Sequence, residues 1–356
     1  LGQQLNGGSL GNESATDADE EIAASLIDKW DAETPDLAGE VISLLKAIRK
    51  EEIAEMGNML VIGPSDSWGI RKDKNGVVRE VVYNGAYFIP EHYHKYIKFL
   101  NDVKAVAKDK AEIAEIDRLI ADYSKVLEGG YKIHEMIVNK FGFIPGWCKL
   151  TLSKDNSTIQ VQEAKVDKKY NDVPTIKERQ DLSIYSYDAV RNDLWLANAI
   201  YLYNDPAAIT LAEDMIAVRD ADKYGMVVSD DLTDFQMAEG RSAIPGHAEE
   251  IWLTNDKKAY GIKNNLSLGH SYLLVSAIYS QKLRLYSEGQ ISIDELNQWA
   301  ERRKEWKQAW LERGQHINST DNYYEGTLLI FFNEANEKIN ARIMQYEIAI
   351  NMAEIK

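Results

Sequence analysis

Cysteine is almost missing from this chain. Its 356 residues contain one, Cys148, so no disulfide closes within a single chain and no cysteine-based zinc site can be assembled there. Cys148 lies in the stretch FIPGWC among apolar neighbours. A buried, inert thiol is expected, because a catalytic thiol needs a base nearby and no sequence feature supplies one. Positive charge is also in short supply. Lys and Arg total 41 against 57 Asp and Glu, a net charge of −16. The first 60 residues hold 13 acidic and 4 basic side chains, a local balance of −9. Such a chain is repelled by phosphates and anionic membranes unless a basic patch overrides the total. The densest basic spot, Arg302-Arg303-Lys304, is flanked by Glu301 and Glu305 and reads as a solvated helix face. Direct nucleic-acid binding is therefore not expected. No apolar run approaches the length of a membrane-spanning helix; the longest candidates are LWLANAIYLY (194–203) and TLLIFF (327–332). The sequence opens on Leu1 rather than Met, which suggests processing or a start part-way along a longer protein.

Local catalytic motifs are missing as well. There is no His-Glu-x-x-His helix, no Gly-x-Ser-x-Gly elbow, no Gly-x-x-x-x-Gly-Lys-Ser/Thr phosphate loop and no strand followed by Gly-x-Gly-x-x-Gly. No sustained internal repeat is present, and no cofactor is expected.

What is present is an ordinary globular balance, 45% hydrophobic and 28% charged, with helical periodicity through most of the chain. Residues 1–19 are polar and rich in Gly, Asn and Ser, the composition of a flexible arm. Ile22, Leu26, Ile27 and Trp30 then fall at helical spacing, followed by Val41, Leu44, Leu45 and Ile48. Residues 91–128 read as one long helix or a helical pair, interrupted at Gly129-Gly130. Asn75-Gly76 between β-branched runs predicts a hairpin, and residues 149–152 and 158–161 predict a second around Ser153 to Ser157. Asp205-Pro206 reads as N-cap and first turn of a helix, and Ser292-Ile293-Asp294-Glu295 as a capping box. The expected fold is mainly α, a helical bundle with two inserted β-hairpins. The expected organisation is an arm over 1–19, a helical region with two hairpins over 20–170 and a helical region over 175–356, or a single domain spanning both regions.

Three places carry side chains with chemical potential. His247 and Glu250, three apart after the Pro245-Gly246 break, would share a helix face where a carboxylate can orient an imidazole or join it on a metal. The plainer reading is a helix start. Glu91 and His94 sit in the first turn after Pro90; a di-iron bundle would need a second such pair, which the sequence lacks, so a solvated helix start is expected. Asp230, Asp231 and Asp234 offer oxygens for a cation but lack the EF-hand spacing.

Eight Trp and 19 Tyr suggest contact surfaces. Together with the arm and the missing motifs, they favour a non-enzymatic structural or assembly protein: an acidic, oligomeric component of a virion or other large complex, acting through protein partners or self-association through the arm and aromatic patches. Its location would follow from that role. The alternative is a helical metal-binding protein or a hydrolase-type enzyme that uses the His247/Glu250 corner.

Overall fold

The computed structural model describes residues 16–30, 35–65, 69–141, 143–164, 187–221, 251–253, 259–261, 266–313 and 323–354. The fold is mainly α with minor sheet content. Its internal contacts divide it into two compact units, Leu1–Ile133 with Cys148–Gln162, and His134–Trp147 with Glu163–Lys356.

The first unit opens with α1 (Thr16–Lys29) and α2 (Pro35–Glu51). The apolar stripe read in the sequence of α1 is only partly buried: Leu26, Ile27 and Trp30 are half-buried and Ile22 is not. Ile22 is 51% exposed, while Thr16, Glu20, Ala23 and Ala24 face inward. The small alanines permit close approach, and the inner face is fixed by polar bonds instead. The Thr16 hydroxyl donates to the Gly63 carbonyl at 2.9 Å, and the Tyr96 hydroxyl donates to the Glu20 carbonyl at 2.7 Å. A hairpin follows, β1 (Ile53–Met56) with β2 (Met59–Ile62), turning at Gly57 with φ of 63°.

Both expected hairpins are present, and they join edge to edge. Strands β3 (Ile70–Lys72), β4 (Val78–Tyr83), β5 (Cys148–Leu152) and β6 (Ile159–Glu163) form one four-stranded sheet in that order. Strands β4 and β5 are antiparallel, with Val81 opposite Leu150 and Tyr83 opposite Cys148. These four side chains are buried on one face, as the period of two requires. On the other face Glu80 meets Arg71 at 3.1 Å and Lys149 at 3.4 Å.

After a short 3-10 turn at Gly85–Tyr87, the long helical stretch is a pair, α3 (Pro90–Val106) and α4 (Lys110–Phe141). Helix α4 runs unbroken through Gly129-Gly130, where the sequence suggested an interruption. The glycines serve packing rather than termination. A Cβ on Gly129 would lie 2.9 Å from the Leu60 carbonyl oxygen, and one on Gly130 would lie 2.1 Å from the Phe88 ring. Glycine lowers helix propensity by only about 1 kcal/mol against alanine, which packing of this kind outweighs.

The second unit is built around α7 (Leu266–Ser287), which packs against α5 (Tyr187–Tyr203), α6 (Pro206–Ala221), α8 (Ile293–Arg313) and α9 (Tyr323–Glu354). Residues 270–281 of α7 are buried on every side, the polar His270, Ser271, Ser276, Ser280 and Gln281 included. Asp205 caps α6 by accepting from the Ala207 N–H at 2.9 Å, and Ser292 caps α8 by accepting from the Glu295 N–H at 3.2 Å. One further hairpin is formed by β7 (Ile251–Leu253) and β8 (Ala259–Gly261). Among the described residues no helix is long and apolar enough to cross a membrane.

Candidate functional site

In the first unit, turns of three hairpins meet at one groove of about 520 Å³. Gly57 lines it from β1–β2, Asn75 and Gly76 from β3–β4, and Asn156 from β5–β6. Gly57, Gly76 and Asn156 all adopt positive φ, the conformation that tight turns demand and that Gly and Asn tolerate. The end of α2 supplies Arg49, Lys50 and Glu51; β1 adds Glu55 and β3 adds Lys72. Arg49 is anchored by Asp122 at 2.8 Å and reaches Glu55 at 3.1 Å, while Lys50 pairs with Glu51. The groove thus presents two carboxylates and three cations on a frame of short turns.

A second polar centre lies inside the same unit. Glu20 is fully buried, and its Oε1 accepts from the Tyr93 hydroxyl at 2.5 Å. Burial pushes its carboxyl well above the usual range; the Tyr93 bond opposes this, and the nearby carboxylates of Glu52, Asp17 and Glu21 add to the rise. His92 is buried beside α1, and burial, with a smaller contribution from Lys95, depresses its imidazole to about 3. Glu21 lies 3.8 Å from its Nε2, but that carboxylate is half-exposed and does not offset the burial. Tyr96 and Tyr123 close the cage, Tyr123 donating to the Leu45 carbonyl at 2.7 Å. The centre lies in the core of the first unit.

The second unit has its own buried polar centre. Arg219 of α6 makes a two-armed contact with Asp193 of α5, at 2.6 and 2.8 Å, and donates to the Ser271 hydroxyl of α7 at 2.7 Å. It ties three helices together.

Of the residues singled out by sequence, Glu91 and His94 lie half-buried on α3. Their neighbour His92 is buried rather than solvated, which corrects the expectation of a solvated helix start. His247, Glu250, Asp230, Asp231 and Asp234 lie outside the described residues, as do residues 1–15 of the arm. Among the described residues no group of three or more His, Cys, Asp and Glu side chains could hold a metal ion. Cys148 is buried and its thiol pushed upward by that burial, unsuited to nucleophilic work.

No family model and no curated protein matches the chain. Several solved structures resemble it at a distance. An endoglucanase from Komagataeibacter sucrofermentans is 20% identical over 56% of this chain and 50% of its own, with a TM-score of 0.34. An endo-β-1,4-glucanase from Acetobacter xylinum is 14% identical over 92% of this chain and 72% of its own, with a TM-score of 0.44. An endo-β-1,4-glucanase from an Achatina fulica gut metagenomic library is 13% identical over 91% of this chain and 71% of its own, with a TM-score of 0.45. The chain spans half the length of the first of these. All three are glucan hydrolases by name, and this finding overturns the expectation of a non-enzymatic structural or virion protein. The physical reason is that a missing local motif does not exclude an enzyme whose acid and base are brought together only by the fold. At this distance no residue's role is carried over from these structures.

Proposed function

We propose that this chain is a hydrolase-type enzyme whose substrate, a polymer, lies in the groove of the first unit. The observation that carries the reading is the groove itself, where Glu51 and Glu55 line a polar channel framed by three turns. Hydrolysis needs one carboxyl to protonate the leaving oxygen and a second to activate water or attack. Glu51, at the end of α2, and Glu55, in β1, supply the two groups. Arg49 pairs with Glu55 at 3.1 Å and Lys50 pairs with Glu51. Loops held by a rigid frame are a common place for binding and catalysis.

A β-1,4-glucan is the first substrate to test, because it is the one named for two of the similar structures. The experiment is reducing-end release by the purified chain from carboxymethylated cellulose, with an α-linked glucan as control. Release from the first alone supports the reading; release from neither removes the β-glucan assignment. His247→Ala and Glu250→Gln run alongside, to establish whether that corner takes part.

A further inference from the structure

One arginine holds two walls of this groove. In the ladder of β3 and β4, Arg71 pairs with Glu80 and Lys72 with Val78, so Arg79 is the extra residue of a bulge. A bulge breaks the alternation of side chains and re-aims the residue it adds. Here the guanidinium is aimed at two turns. Its Nε donates to Asp73 Oδ2 at 2.8 Å in the β3–β4 turn. Its Nη1 donates to the Ser153 carbonyl at 2.9 Å and to Asn156 Oδ1 at 2.6 Å in the β5–β6 turn. Asp73 passes the constraint on, accepting from the backbone N–H of Asn75 at 2.8 Å and of Val77 at 3.1 Å. Asn75, Gly76, Val77 and Asn156 all line the groove, whereas Arg79 does not.

We infer that Arg79 is a positioning residue that fixes the separation of the two turn walls and thereby decides which polymer chain the groove admits. The inference rests on the groove being the substrate site proposed above. The bulge gives it a basis in the fold, since an unbulged β4 would alternate Arg79 into the ordinary ladder. A planar guanidinium suits the task because it donates in several directions from one rigid plane, which a lysine cannot do.

The test uses Arg79→Met and Arg79→Lys in the full chain, with two readouts. The first is amide hydrogen exchange at Gly76 and Asn156, whose N–H groups donate to the Asp73 and Ser153 carbonyls. The second is the split between KM and kcat on cellohexaose. Arg79→Met is expected to speed exchange at both turns about tenfold while Val81 and Leu150 stay protected. It is expected to raise KM about tenfold with kcat within about twofold, the pattern of lost binding rather than lost chemistry. Arg79→Lys keeps the Asp73 contact and frees the β5–β6 turn alone. Unchanged exchange at both turns in Arg79→Met overturns the inference, as does an unchanged KM in an active enzyme. If the wild-type chain cleaves no glucan, the β-glucan assignment falls separately, and exchange alone then decides whether Arg79 clamps the turns.

Discussion

The Tyr93 hydroxyl donates to Glu20 Oε1 at 2.5 Å, and both side chains are fully buried. The charged groups that perturb Glu20 are carboxylates, Asp17 and Glu21 on α1 and Glu52 just before β1. The folded chain therefore holds a proton on Glu20 that the unfolded chain releases above the ordinary carboxyl pKa. A raised pKa in an acid means stability that is complete below that ordinary value and declines as pH rises toward the folded-state pKa. Each pH unit of that window is worth about 1.4 kcal/mol. Glu20→Gln keeps the acceptor for Tyr93 and removes the titration. Urea midpoints at pH 5, 7 and 9 should fall for the wild type and stay flatter for the variant, which should be the more stable of the two at pH 9.

His92 has the opposite sign. Its imidazole is depressed from 6.5 to about 3, so the unfolded chain takes up a proton that the folded chain refuses. Stability from this site is complete above pH 6.5 and is lost as pH falls toward 3. His92→Gln should reduce the acid sensitivity of unfolding between pH 6.5 and 4, read by the same urea midpoints.

Arg219 and Asp193 are both buried to within about 1%, and Arg219 also holds Ser271. Removing one partner strands a charge in the core, at a cost of about 3–5 kcal/mol, while replacing both by apolar groups of similar size costs far less. Arg219→Met should therefore destabilise strongly, and adding Asp193→Leu should restore much of the loss. A double-mutant cycle by thermal unfolding measures the coupling.

The Gly130 packing against Phe88 predicts a steric effect. A Cβ at 2.1 Å from a ring carbon cannot be accommodated without movement. Gly130→Ala should destabilise by about 1–3 kcal/mol despite its better helix propensity. Phe88→Leu in the same chain should recover part of that, read by the thermal midpoint.

The fold was legible in the sequence where the signal is local. Asn75-Gly76 marks a turn because both residues tolerate positive φ, and Gly76 has a φ of 80°. Asp205 and Ser292 cap the helices their side-chain chemistry suits. Legibility failed where a distant partner decides. Ile22 looks like a core residue until Tyr93 and Tyr96 offer hydroxyls to the neighbouring face of α1. Gly129-Gly130 looks like a stop until Leu60 and Phe88 are seen against it. The groove had no signature, since its walls come from turns at residues 57, 76 and 156, far apart in the chain. Glu51 and Glu55 carry no local motif that sets them apart from other surface carboxylates.

Under the proposed function, Glu51 and Glu55 are both needed for hydrolysis in the groove. The most direct measurement is the rate of reducing-end release from carboxymethylated cellulose by Glu51→Gln, Glu55→Gln and the double variant, each checked for unchanged circular dichroism. Removing a general acid or base lowers a rate by about 100-fold or more, so each single variant should lose at least that. The double variant should lose little beyond the worse single one, because the pair acts as a unit. A wild-type rate in the double variant would place the chemistry on other residues.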